Sequence, residues 1–351
     1  MRMLRLPEFR LHVPTRLDEA LKILAEEGAA EGRARPVAGG TDLWPNMKRR
    51  HQMAETVVSL MRVPGLAGVS ANGETRLGAT TTLTAVAEDA EVRRRYPALA
   101  RAVTSISSPP LRNMGTLGGN VCVDTRCTYY NQTEEWRQSI DYCMKEAGTV
   151  CWVAPSSPRC WAHSASDSAP MLAALDARVR LASVEGERVV AMADLYRDDG
   201  IDYLAKRPDE LVVEILLPAG STAEACRSSF FKLRRRGSID FAVLSAAAAV
   251  WTDDANVVTD ARVWLGAVSS QPSEAAKTAA ALIGKELTED SIREAAGVAR
   301  RAATPMDNTD FQAQWRGAVV GKYVEAALRD CAGLDPGIQP PKHPLSPTPA
   351  R

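Results

Sequence analysis

From residue 15 to residue 28 the chain reads TRLDEALKILAEEG, and Leu17, Ala20, Leu21 and Leu24 recur at the spacing that puts them on one helical face. Thr15 and Asp18 make a capping-box-like start, and Gly28 supplies the stop. The pattern then changes to short apolar runs at 34–38, 56–63 and 75–79, so the opening lobe is predicted to mix α and β. Residues 84–106 read as a helix ending before Pro109 and Pro110. Beyond a cysteine-rich stretch, 169–177 reads as a short apolar helix. RVRLASVEGERVVAM then alternates about Glu185 and Gly186 as a hairpin, and ELVVEILLP makes a strand ending at Pro218.

The small, polar AGSTAEACRSS at 219–229 has the composition of a linker. After it, strands at 230–234, 242–251 and 257–268 precede helices at 274–282, 288–303 and 311–328, the order expected of a separate α+β domain. The closing GLDPGIQPPKHPLSPTPAR is proline-rich and predicts a disordered or extended tail. No internal repeat is visible.

Length and composition narrow the function. With 351 residues, 45% of them hydrophobic, the chain can bury more than one core. Its 43 basic and 43 acidic residues balance, so no overall field recruits nucleic acid or an anionic membrane. MRMLRLPEFRLHVP lacks the apolar run of a signal peptide, and the most apolar stretch, 241–251, is short of the ~18 residues a membrane span needs. The expectation is a soluble cytoplasmic protein, where structural disulfides are rare. An odd cysteine total of seven points the same way. Cys226 and Cys331 stand apart from the others and read as small buried hydrophobes.

Two glycine-rich loops follow predicted strands or turns. In PVAGGTDL, Gly39 and Gly40 precede Thr41 and Asp42. In RNMGTLGGN, Gly115, Gly118 and Gly119 surround Thr116, with Arg112 nearby as a candidate charge. Glycines let backbone N–H groups approach an anion closely, so each loop is a candidate phosphate nest as well as an ordinary tight turn. Neither matches the dinucleotide fingerprint or the P-loop, so the pair suggests a pyrophosphate cofactor without selecting one.

These two loops, the downstream SDSAPMLAALDA, the opening FRLHVPTRLDEAL, FFKLRRRGSIDFAV and DFQAQWRGAVVGKYVEAAL stand in one order. That order resembles the FAD-binding subunits of the xanthine dehydrogenase and molybdenum hydroxylase family, over nearly the whole chain up to about Leu334. The resemblance implies an α+β protein. Its parts are a two-lobed FAD domain of the vanillyl-alcohol oxidase type over 1–220 (lobes 1–60 and 61–220), a C-terminal α+β domain of the CO dehydrogenase flavoprotein type over 229–334, and a tail over 335–351. It implies FAD as cofactor, with a first pyrophosphate loop on Pro36, Val37, Ala38, Gly39, Gly40, Thr41, Asp42 and Leu43. The second loop falls on Thr116, Gly118, Gly119 and Asn120. A carboxylate for a cofactor hydroxyl falls on Asp167, and a lysine near the flavin on Lys232, one of several cations in KLRRR.

Five of the seven cysteines, and three of the seven tryptophans, fall between Asn120 and Ser166. These 45 residues have no hydrophobic period of their own, so something other than a core is expected to order them. Spacing alone leaves three readings: a zinc site, for which Cys122 and Cys127 are the one close pair; structural thiols; or an iron–sulfur cluster, which tolerates irregular spacing. The segment resembles the insertion, here 121–165, of the 4-hydroxybenzoyl-CoA reductase branch of the family, whose β subunit carries a [4Fe–4S] cluster. That resemblance implies Cys127, Cys143, Cys151 and Cys160, spaced C-x15-C-x7-C-x8-C, as ligands and Cys122 as a bystander. Tyr129, Tyr130, Trp136, Trp152 and Trp161 are candidates to shield it, or to pack the loop.

MKRRH at 47–51 and KLRRR at 232–236 read by default as solvated basic runs, with contact to a cofactor phosphate, an acidic ferredoxin or a partner subunit as the alternatives. His12, His51, His163 and His343 show no metal-like spacing, and no hydrolase triad or zincin motif occurs, so no substrate chemistry is assigned to this chain. The resemblance implies partners instead: a molybdopterin-containing large subunit, a small [2Fe–2S] subunit, ferredoxin as electron donor, and a dimer of heterotrimers. The alternatives are the FAD subunit of an aldehyde, purine or N-heterocycle hydroxylase, and a non-catalytic metal-binding sensor or assembly protein.

Overall fold

The computed structural model describes residues 4–218 and 226–338. Most of the expected linker (219–225) and most of the proline-rich tail (from 339) lie outside the described residues. Three sheets organise the chain. β1 (Arg10–His12), β2 (Ala34–Val37) and β3 (Thr56–Ser59) form a parallel sheet with β3 in the middle. Parallel neighbours require crossovers. The helix Leu17–Glu26 supplies the first, burying Ala20, Leu21 and Leu24 as its periodicity predicts. Arg16, not Thr15, takes the N-cap position, without a side-chain cap, because the Thr15 N–H donates to Glu19 at 3.2 Å and fixes the entry instead. The helix Leu43–Lys48 begins the second crossover.

β4 (Val69–Ser70), β5 (Thr75–Gly78), β6 (Arg178–Ser183), β7 (Gly186–Ala191) and β8 (Leu211–Leu217) make an antiparallel sheet in the order β4-β5-β8-β6-β7. The single helix expected at 84–106 is three: Leu83–Glu88, Ala90–Arg95 and Pro97–Thr104. Asp89 leaves the helical conformation and caps the second by accepting from the Glu91 and Val92 N–H groups at 3.0 Å each; Pro97 opens the third. With Ser168–Ala174 these helices bury Leu99, Val103 and Leu172 against Leu77, Val179 and Ile215 of the sheet.

β9 (Arg227–Leu233), β10 (Leu244–Thr252), β11 (Val258–Gly266) and β12 (Ser273–Glu274) form an antiparallel sheet in the order β12-β11-β10-β9. β9 therefore begins inside the stretch read as linker. The helices Ala276–Leu282, Glu289–Val298 and Ala313–Cys331 cover one face, packing on Ala246, Ala248 and Val250. The other face, with Phe230, Ala247, Ala249 and Trp251, joins the core of the second lobe. Burial on both faces is why β10 is apolar without a break from Ala246 to Trp251 rather than alternating.

Residues 121–165 are mostly irregular, with one short helix, Glu134–Ser139, capped by Thr133. Buried charge holds them. Arg137, 1% exposed, donates to Glu146 at 2.6 and 3.0 Å and to the Gln132 and Arg49 carbonyls at 2.9 Å each. Among the described residues no helix is long and apolar enough to cross a membrane.

Candidate cofactor sites

The two glycine loops meet edge to edge. A Cβ at Gly39 would stand 1.7 Å from the Met114 carbonyl oxygen, and one at Gly118 would stand 2.7 Å from the Ala79 side chain, so both positions are glycine because backbone passes too close for anything else. Gly40 adopts φ +70°, which turns the chain into the helix Leu43–Lys48. Among the described residues, the N–H groups of Gly39, Gly40 and Thr41 donate to no protein acceptor. A run of free donors in a turn is what an anion nest requires. Thr116 is engaged locally, accepting from the Gly119 N–H at 3.2 Å as the cap of Leu117–Val121.

A cleft of about 270 Å³ opens beside these loops, near the low end of small-molecule sites, and Thr41, Asp42, Asn120 and Asp167 face it. The loop's flanks do not. Pro36 and Val37 pair with Val58 and Ser59 in the sheet, while Val37 and Leu43 pack with Met47. Ala38 links β2 to the glycines, and neither it nor Gly39, Gly40, Thr116, Gly118 or Gly119 lines the cleft. Asn120 joins the turn to the chain beyond the insertion: its Oδ1 accepts from the Ser168 hydroxyl at 2.6 Å and the Ser166 hydroxyl at 3.0 Å.

Lys232 differs from its neighbouring cations in its surroundings. Its Nζ is fully buried and donates to Asp167 Oδ2 at 2.6 Å and to the Ser105 carbonyl at 3.2 Å. Burial pushes the Asp167 carboxyl up and the Lys232 ammonium down, and the ion pair opposes both shifts. Asp167 Oδ1 is buried and has no partner among the described residues, which fits an acceptor kept for a ligand hydroxyl. KLRRR is thus only partly a solvated run. Arg234 donates to the Ser105 carbonyl at 3.0 Å, and Arg235 and Arg236 pair with Asp310 and Asp240 at the surface. In MKRRH, Met47 is buried and Arg49 lines the cleft. Arg112 is not at the cleft; its guanidinium donates to the Ile106 carbonyl at 2.7 Å and serves the fold.

Sequence reasoning missed Arg126. It is 4% exposed, pairs with Asp42, donates to Asn46 Oδ1 at 3.2 Å and lies 4.7 Å from the centre of the Phe241 ring. Its position just before Cys127 makes it the charged residue that faces the cleft from the cysteine segment. Ser107 and Ile239, both at positive φ and joined by an N–H to carbonyl bond of 3.0 Å, close the opposite wall.

Cys127, Cys143, Cys151 and Cys160 are free, buried, and together line one pocket; Cys122 lies against the second-lobe core instead. Among the described residues no three His, Cys, Asp or Glu side chains converge as a single ion requires. The pocket that the four cysteines share has a volume of about 10 Å³. Burial pushes the Cys127 thiol up to about 11 and Cys160 to about 12, with the neighbouring sulfurs adding to each. Tyr129, Tyr130 and Trp152 join the lining, Trp136 packs on Tyr129 at 6.3 Å, and Trp161 sits away from it under Arg159.

Residues 7–220 match the family described as the FAD binding domain in molybdopterin dehydrogenase, and 229–331 match the CO dehydrogenase flavoprotein C-terminal domain. The chain belongs to the FAD-binding subunits of the molybdenum hydroxylase family. The carbon monoxide dehydrogenase medium chain of Hydrogenophaga pseudoflava is 26% identical over 323 residues, 92% of this chain and 96% of that one. The aldehyde oxidoreductase FAD-binding subunit of Escherichia coli is 33% identical over 255 residues, 68% of this FAD subunit and 76% of the relative. A solved carbon monoxide dehydrogenase from Hydrogenophaga pseudoflava superposes with a TM-score of 0.77 at 25% identity, covering 94% of the FAD subunit and 99% of that chain.

Proposed function

We propose that this FAD subunit also carries a [4Fe–4S] cluster and moves electrons within a molybdenum-dependent reductase resembling 4-hydroxybenzoyl-CoA reductase. The observation that carries the reading is one pocket walled by Cys127, Cys143, Cys151 and Cys160, all buried and unpaired. Four buried thiols on one pocket match the donor set of a cluster, which tolerates the irregular spacing of these cysteines, whereas zinc sites usually carry close Cys pairs. FAD would occupy the cleft and extend past it along the first loop, with the donors of Gly39 to Thr41 and the Asp167 acceptor as its polar contacts. When bound, the flavin supplies exchange between electron pairs and single electrons, and the protein supplies position and field.

Substrate would react on a molybdopterin-containing large subunit, reached through a small [2Fe–2S] subunit in a dimer of heterotrimers. Ferredoxin would be the donor, and the reaction the removal of the phenolic hydroxyl from 4-hydroxybenzoyl-CoA. The second reading is a dehydrogenase running electrons outward, favoured by relatives that act on carbon monoxide and on aldehydes. Anaerobic purification of the complex tests the first part: one FAD, with about four irons and four acid-labile sulfides per chain beyond those of the small subunit. Cys122→Ser is expected to keep that iron and Cys127→Ser to lose it; the reverse pattern, or an iron-free chain, overturns the assignment. Reduction of the FAD subunit by ferredoxin but not NADH separates the two readings.

A further inference from the structure

One buried ion pair stands at the wall of the cysteine pocket without serving either ligand set. Lys145 lines that pocket with its side chain 5% exposed, and Asp124, 4% exposed, meets it at 2.7 Å. All three ammonium protons are used, by Asp124 Oδ1 at 2.7 Å and by the Thr125 hydroxyl and Gly200 carbonyl at 2.6 Å each. The rings of Tyr130 and Tyr203 flank it at 5.0 and 5.6 Å, so the site is built for a cation.

The carboxylate end faces elsewhere. Asp124 does not line the cysteine pocket, and its charge reaches Asp42 at the flavin cleft. Its Oδ2 is buried with no partner among the described residues. Desolvating such a pair costs several kcal/mol per ion, and apolar residues of similar volume often serve stability equally well. Its orientation therefore asks for a reason other than folding.

We propose that Lys145 and Asp124 are positioning residues for electron transfer, an oriented pair whose field favours the electron on the cysteine-held cluster. This rests on the cluster reading above. In the step concerned, a reduced one-electron carrier gives up one electron and the cluster gains it, with no atom or proton transferred. The reduced cluster carries one more negative charge, and a fixed cation at its wall, in a region of low dielectric, stabilises that form.

The test is a potentiometric titration of the holo-complex followed by electron paramagnetic resonance, with iron counted in every variant. Lys145→Met is expected to shift the one-electron equilibrium at least tenfold against reduction, ~59 mV downward. Asp124→Asn is expected to shift it the other way, because the ammonium is then uncompensated, and Lys145→Arg to leave it within threefold of wild type. Should Lys145→Met lose iron, the upward shift in Asp124→Asn and the unchanged value in Lys145→Arg still decide the matter. Full iron with shifts below twofold, or both charge-removing variants moving the same way, overturns the proposal. A wild-type complex without the cluster's iron overturns the reading beneath it first.

Discussion

Lys232 and Asp167 each hold a charge that only the other makes tolerable in a buried site. Lys232→Met strands the carboxylate and is expected to cost ~3–5 kcal/mol in denaturant unfolding. Pairing it with Asp167→Leu should recover most of that stability while FAD content stays low; full flavin in the double variant would show that Asp167 is not the cofactor's acceptor. A second residue sets acid stability. His163 is wholly buried, its Nδ1 2.9 Å from the Ser164 carbonyl oxygen, and burial holds its pKa down to about 3 from an ordinary 6.5. Below 6.5 the unfolded chain takes up a proton that the folded one refuses, so stability is lost as pH falls from 6.5 toward 3, by roughly 4 kcal/mol at most. Urea unfolding at stepped pH should flatten across that range in His163→Gln. Asp167, Lys232 and Asn120 stood out in the sequence because each sits in an ordered motif, and the structure brings Asp167 and Lys232 into contact. Arg126 was not, since nothing in VDTRC marks which cation turns inward.

At the glycine loops the structure adds a cause that the sequence does not show. Their sequence suggests anion nests, and the free N–H groups of Gly39 to Thr41 agree with that for the first loop. The stronger constraint is mutual: Gly39 lies where a methyl group would overlap the Met114 carbonyl. Gly39→Ala is expected to push the loops apart, lower FAD occupancy at least tenfold and cost ~2 kcal/mol or more. Gly237→Ala, where added Cβ meets nothing within 4 Å, should change neither. Flavin content by absorbance and thermal unfolding check both, and full flavin in the Gly39→Ala variant would show that the close approach of the loops does not shape the site. Periodicity located the first helix and most strands within a few residues. It ran 84–106 together because Asp89 and Pro97 break a continuous apolar face by capping geometry rather than by any change in hydrophobic pattern.

At the scale of the whole molecule, β10 decides how the parts depend on one another. Its even-numbered side chains pack under the C-terminal helices and its odd-numbered ones complete the second-lobe core. The order of strands and helices suggested a separate domain. The unbroken apolar run of Ala246 to Trp251 was the sign that both faces are covered, a sign that periodicity alone does not distinguish from a buried helix. The fragment 226–338 made alone would expose Phe230, Ala247, Ala249, Trp251 and Trp264 to water, together a patch of the kind soluble monomers avoid. It is expected to aggregate or to bind a hydrophobic dye strongly, and the intact chain to unfold without an early C-terminal transition. A soluble fragment with its own cooperative melt would mean that the shared face contributes little. The second lobe would then have to hold Ser168–Ala174, and with it Asp167 at the edge of the cleft, without the sheet on which that helix packs.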